Sequence, residues 1–202
     1  EPRDPQILKA WLGLAAAIAT EAGHLIDDGK YTPALERLSA VQRSLEHSAS
    51  WNNLIGYAEF KLQQPEKAQR HLRQALELDP DNEGYLLDVT GLLTSRHAYA
   101  EAIEFLEVGL KRVPNSVGIR FSLAVNQLLD QRREKATSAL EALHVENPEL
   151  EYVSHALGEA YEAAENWSAM VTLGRKLQIP HPNAALGWYL EGTGLAHLTI
   201  QG

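Results

Sequence analysis

The chain has no cysteine. That excludes a disulfide framework and any thiolate-held zinc or iron–sulfur centre. It also leaves the redox compartment open, so cytoplasmic, periplasmic and secreted settings are all compatible. Base is scarce: 18 Lys and Arg stand against 27 Asp and Glu, a formal charge of −9 with histidine neutral. Such a balance repels phosphate backbones, and no window concentrates base with aromatics, so nucleic acid is not an expected partner. Long apolar runs are missing as well. The longest weakly polar stretch, Trp11 to Ala19, is far shorter than the roughly 20 residues of a membrane helix, and direct membrane insertion is not expected. The sequence offers no nucleophile elbow, no H-E-x-x-H order and no glycine-rich loop leading from a strand to a helix. Neither a cofactor nor a catalytic activity is therefore expected. The chain opens Glu1-Pro2-Arg3 without methionine, which leaves room for a removed targeting segment or an upstream domain.

What the sequence does have is a period. At 202 residues, 45% of them hydrophobic, the chain can bury a real core without staples. Pro80, Pro114, Pro148 and Pro182 are spaced by 34 residues, using four of nine prolines. On that lattice the units are 15–48, 49–82, 83–116, 117–150 and 151–184, the first carrying Glu46 in place of proline. Twelve residues before the lattice position stand Ala34, Ala68, Ala102, Ala136 and Met170. Five before it stand Val41, Ala75, Gly109, Leu143 and Leu177, and between these sets lie Leu38, Leu72, Leu106, Leu140 and Gly174. These offsets follow a 3.6-residue period, so the second half of each unit is predicted to be a helix with one packed stripe. Gly174 leaves a large position empty, and loose packing of the fifth unit is expected there.

The first half of each unit reads as another helix, carrying apolar-then-small pairs at Ile55-Gly56, Val89-Thr90, Leu123-Ala124 and Leu157-Gly158. Polar turns separate the halves at Asp27-Asp28-Gly29, Gln63-Gln64, Arg96-His97, Asp130-Gln131 and Glu165-Asn166. Pro65 suits a first helical turn, the lattice prolines end second helices, and Ser116 and Asp81 or Asn82 are candidate caps. The expected fold class is all-α, built from antiparallel helix pairs.

This pattern resembles the tetratricopeptide repeat family, a 34-residue unit of two antiparallel helices. The leucine-glycine pair at unit positions seven and eight is matched by Ile55-Gly56 and Leu157-Gly158, and the aromatic at eleven by Tyr161. Tyr31, Tyr99 and Trp167 stand at seventeen, the alanines at twenty, and Ala75-Leu76-Glu77-Leu78-Asp79-Pro80 matches the family's ending. The resemblance spans five units, 15–184. Residues 1–14 are expected to be an N-terminal helical extension, continuing the first helix or forming a separate one. Residues 185–202 are expected to be the first helix of a sixth repeat or a capping helix, with Trp188 at position four, Gly192 at eight and Leu195 at eleven.

The resemblance implies a right-handed superhelical solenoid whose concave wall uses positions five, nine, twelve and thirteen. Carried onto this sequence, the candidate groove consists of Asn53, Tyr57, Phe60, Leu87, Gly91, Phe121, Val125, Leu128, His155, Glu159 and Glu162, with Ala19, Gly23, Ile26, Asp27, Lys61, Thr94 and Ser95 at the same positions. The middle is apolar and the C-terminal end acidic, which suits a protein or peptide with bulky apolar anchors. The lysine and asparagine clamp with which some members grip a terminal carboxylate is missing, since Ala19, Gly23 and Ser95 stand there. His155, Glu159 and Glu162, with His197 opposite, form the best metal-like set, but three side chains along one helix face read as solvated, and no metal is expected. Glu159 and Glu162 lack the opposing wall of a glycosidase cleft. The expected function is a non-enzymatic protein-interaction module. The alternative is a structural spacer or self-assembly unit, a homo-oligomer formed through the terminal repeats, with Trp188, Leu195 and Leu198 as the assembly face, because a terminal repeat should show a polar outer surface.

Overall fold

The computed structural model describes residues 5–40, 47–180 and 182–201. Val41 and Glu46 of the first unit, residues 1–4 and His181 lie outside the described residues. Among the described residues the structure is helical without a strand. The helices are α1 (Pro5–Asp27), α2 (Tyr31–Ser39), α3 (Ala49–Lys61), α4 (Pro65–Leu78), α5 (Glu83–Ser95), α6 (Tyr99–Arg112), α7 (Val117–Leu129), α8 (Arg133–Glu146), α9 (Glu151–Ala163), α10 (Trp167–Gln178) and α11 (Ala185–Gln201). They fall into two compact units, residues 1–114 and 115–202. α1 runs unbroken from Pro5, so the described part of the N-terminal extension continues the first helix.

Helix starts follow local chemistry. Ser48, Asn82, Ser116 and Asn166 cap α3, α5, α7 and α10, each side chain accepting from the backbone N–H three residues on. A capping oxygen satisfies one of the N–H groups that a helix start leaves orphaned. Asn82 rather than Asp81 takes this place before α5. Pro65 opens α4, where its missing N–H removes no ladder bond.

The turn inside each helix pair is the same turn five times. Gly29, Gln63, His97, Gln131 and Glu165, spaced by 34, have φ of 74°, 58°, 60°, 62° and 53°. Each left-handed residue donates its N–H to the carbonyl three back, and the next residue donates to the carbonyl five back, as in Gln63 to Phe60 (3.0 Å) and Gln64 to Glu59 (2.9 Å). This is the Schellman ending, which satisfies two orphaned carbonyls while reversing the chain.

In unit 1, Ala22, Ile26, Ala34, Leu38, Trp51, Ile55 and Ala58 form a buried cluster. The Trp51 indole donates to the Leu38 carbonyl at 3.3 Å, joining α3 to α2. Gly56 lets α4 approach: a β-carbon there would stand 2.7 Å from Leu72 Cγ and 2.9 Å from the Leu72 backbone nitrogen. In unit 2 the core joins Ala124 and Leu140 to Leu157, Tyr161, Trp167, Met170 and Leu190. The expectation of loose packing at Gly174 is corrected. Gly174 is buried, and a β-carbon on it would lie 2.6 Å from both the Glu191 nitrogen and the Gly187 carbonyl oxygen. The backbone of α11 occupies the space that a leucine fills elsewhere.

Candidate functional site

In unit 1 the candidate wall lies on α3 and α5. Tyr57, Phe60 and Leu87 are half-buried, showing an apolar surface while their inner edges pack. Lys61, one turn on, holds its ammonium 5.0 Å from the Tyr57 ring centroid and 5.7 Å from that of Phe60. Such cation–π contacts keep a charge beside an apolar surface without burying it. Asn53 donates its amide to Asp88 Oδ2 at 2.7 Å, linking α3 to α5. Burial pushes the Asp88 carboxyl above its ordinary value, against the opposing pull of the Asn53 hydrogen bond and the Lys61 charge.

Gly91 is exposed and Gly23 half-buried, and a β-carbon on either would meet nothing within 4 Å. Both leave room beside the wall. Thr94 and Ser95 turn their hydroxyls back to the Thr90 and Leu92 carbonyls, each at 2.7 Å. Ile26, assigned to the wall by repeat position, is a correction: it is 9% exposed and belongs to the core cluster with Ala22 and Leu38.

In unit 2 the wall residues of α7 are again half-buried: Phe121, Val125 and Leu128 pack their inner edges on the core. The Phe121 ring meets Tyr152 of α9 edge to face, centroids 4.7 Å apart at 81°. Tyr152 is 47% exposed and so widens the aromatic surface. On α9, His155, Glu159 and Glu162 are all exposed. His155 Nδ1 approaches Glu159 Oε1 at 3.6 Å. His197 stacks instead on Trp167, 3.8 Å centroid to centroid at 4°. No group of three or more His, Asp or Glu positioned to hold a metal ion occurs among the described residues.

Trp188, Leu195 and Leu198 are exposed on α11 by 57%, 40% and 40%. Two clefts lie away from the wall, about 530 Å³ beside Pro148, Leu177 and Leu186 and about 410 Å³ beside Arg73, Phe105 and Val108.

Sequence reasoning missed Asp88 and Tyr152. Asp88 stands one repeat plus one residue beyond Asn53, so the 34-residue lattice already put it on the neighbouring turn. Tyr152 stands one repeat less three residues beyond Phe121, one helical turn before His155. Neither residue occupies one of the four wall positions of the repeat.

A family model for the tetratricopeptide repeat matches residues 49–82. The fold is similar to that of YrrB, described as a tetratricopeptide-repeat protein with an unusual peptide-binding site, at 15% identity over 87% of this chain and 90% of that one, with a TM-score of 0.68. It is also similar to PilF of Pseudomonas aeruginosa (14% identity, 91% of this chain, 99% of that one, TM-score 0.69) and to MamA of Desulfovibrio magneticus RS-1 (20% identity, 80% and 96%, TM-score 0.66). No curated protein matches the sequence significantly.

Proposed function

We propose that this chain, whose residues 49–82 match the tetratricopeptide-repeat model and whose fold is similar to that of tetratricopeptide-repeat proteins, holds a peptide or helical segment of a protein partner against the first-helix walls of its units. The fold is that of a protein-interaction module. What carries the finer reading is the unit 1 wall: half-buried Tyr57, Phe60 and Leu87 share it with the Lys61 ammonium, set beside the two rings, and with the half-buried Asp88 carboxyl. Apolar anchors supply affinity on such a surface, and the flanking charges fix direction and register. In unit 2, Phe121 with Tyr152 offers a second aromatic seat, and exposed Glu159 and Glu162 favour a basic residue beside it. The peptide-binding description of YrrB supports the same use of the fold. No catalytic step is assigned to these walls.

The test is selection of binders from a displayed library of extended peptides, followed by titration against variants. Selected peptides should carry bulky apolar anchors. Phe60→Ala and Phe121→Ala should each weaken binding about tenfold or more with far-UV helicity unchanged. Binding untouched by both variants would place the interaction elsewhere. Loss of helicity in both would make these residues core. Self-assembly is a second reading, favoured by the exposed face of α11.

A further inference from the structure

The two clefts away from the wall occupy the same place in the repeat. Pro80, Leu86 and Arg112 line the cleft in unit 1; Pro148, Ser154 and Pro180, each two repeats further on, line the cleft in unit 2. Each cleft therefore lies between the start of a first helix and the end of the second helix that follows it. At about 410 and 530 Å³ both have the size of a ligand cleft. The repeat makes the place, and the side chains at its variable positions decide what it holds.

Twice the chain supplies an arginine of its own there. In unit 1 the Arg73 guanidinium lies 5.3 Å from the Phe105 ring centroid and pairs with Glu101, while Arg112 reaches Asp81 at 3.4 Å. One repeat on, Arg120 stands at the position of Leu86 and Glu146 at that of Arg112. Arg120 spans the place, donating to both Glu146 carboxylate oxygens at 2.5 and 2.9 Å. In the unit 2 cleft the arginine is missing. Ser154 takes its position, buried, with its hydroxyl 3.0 Å from His144 Nδ1. Among the described residues no Lys or Arg lines this cleft. Its lining is apolar, with Leu177 and Leu186 beside the prolines, and carries two exposed carboxylates, Glu149 and Glu151. Neither has a hydrogen-bond or ion-pair partner among the described residues.

We propose that the unit 2 cleft takes an arginine side chain of a protein partner, entering the place that Arg120 fills in the repeat before. The methylenes of that side chain pack along Leu177 and Leu186, and the guanidinium, more weakly hydrated than an ammonium, bonds to Glu149 and Glu151 through its planar fork. Ser154 is short enough to leave the space open. Its hydroxyl already has a partner in His144, so filling the cleft does not strand it. The cleft also has room for an apolar neighbour of the arginine. None of the wall residues lines it, and the proposal stands independently of peptide binding at the wall.

The probe is the blocked peptide acetyl-Ala-Leu-Arg-Ala-amide, titrated into the 202-residue chain while its backbone amide resonances are followed. Saturable shifts are expected at Ser154, Leu177 and Gly187, and none at Leu86 and Val108 of the unit 1 cleft, where the chain's own arginines stand. Replacing the arginine by citrulline, which keeps the shape and loses the charge, should weaken binding about tenfold or more. A Glu149→Gln, Glu151→Gln double variant should do the same, and Phe121→Ala should leave the titration unchanged. Absence of a saturable shift overturns the proposal. So does equal binding of the citrulline peptide, or a folded double variant that binds as the parent does. Shifts confined to Phe121 and Tyr152 also overturn it, and they would uphold peptide binding at the wall alone. The citrulline comparison decides the matter even if the double variant fails to fold.

Discussion

Leu190 Cδ2 lies 2.5 Å from the place a β-carbon would take on Gly158. In unit 1 the same service to Gly56 is performed by Leu72, from the second helix of the same pair. In the last complete pair that position is Gly174, and the leucine comes from the next helix instead. α11 is thereby part of the unit 2 core.

Leu190→Ala should lower unfolding stability by about 2–4 kcal/mol, the range for truncating a buried leucine. Gly158→Ala should cost about 1–3 kcal/mol by overpacking. Since the added methyl enters the space the truncation vacates, the double variant should lose less than the two singles together. Urea melts of the four proteins measure this, and strict additivity would deny the contact.

The five left-handed turn residues give a matched pair of opposite expectations. Gly29→Ala should destabilise by about 1 kcal/mol, because a β-carbon is disfavoured at that φ. Gln63→Gly should stabilise by up to about 1 kcal/mol, since Gln63 has the same conformation at 58° with a side chain attached. Thermal melts showing the same sign for both would mean that something other than backbone strain governs these turns.

Glu59 is buried and accepts its hydrogen bond from His71 Nδ1 at 2.7 Å, with the histidine ring edge-on to Trp51. Removing the partner in His71→Ala should cost about 2–4 kcal/mol by stranding a buried carboxyl. The third repeat has Leu93 and Phe105 at these two positions. A Glu59→Leu, His71→Phe double variant should therefore be within about 1 kcal/mol of the parent or above it. A double variant as unstable as the single would show that the pair does more than fill its site.

Asp88 sets a pH dependence of known sign. Its folded carboxyl releases its proton above the ordinary value of 3.8, chiefly because of burial. The stability this proton contributes is present below that value and is lost as pH rises through the elevated folded one. Asp88→Asn preserves an acceptor for Asn53 and removes the titration. The variant should gain on the parent as pH rises through that window and hold the advantage at neutral pH. Urea midpoints across that range decide it; an advantage confined to acid would reverse the sign.

Much of the architecture was legible because it is periodic. Prolines at 34-residue spacing follow the ends of α4, α6, α8 and α10, and the polar pairs between the halves fall at the turns. These are local properties: a proline ends a helix, and a small residue admits a neighbour, whatever lies further along the chain. The candidate wall was legible in position and less so in environment. Ile26, Phe60 and Leu128 share one repeat position, yet the first is core and the other two half-buried. That difference depends on how closely the neighbouring helices pack.

The sequence by itself determined the helix pairs, their caps and their turns, since each rests on hydrogen bonds closed within a few residues. Only the tertiary structure decided which side chain fills which gap. Gly174 read alone is a vacancy, and Leu190 read alone is one apolar residue in an apolar helix. That one answers the other depends on α10 and α11 meeting backbone to backbone through Gly174, Gly187 and Gly194. Close packing is a property of both surfaces at once, and no single segment encodes it.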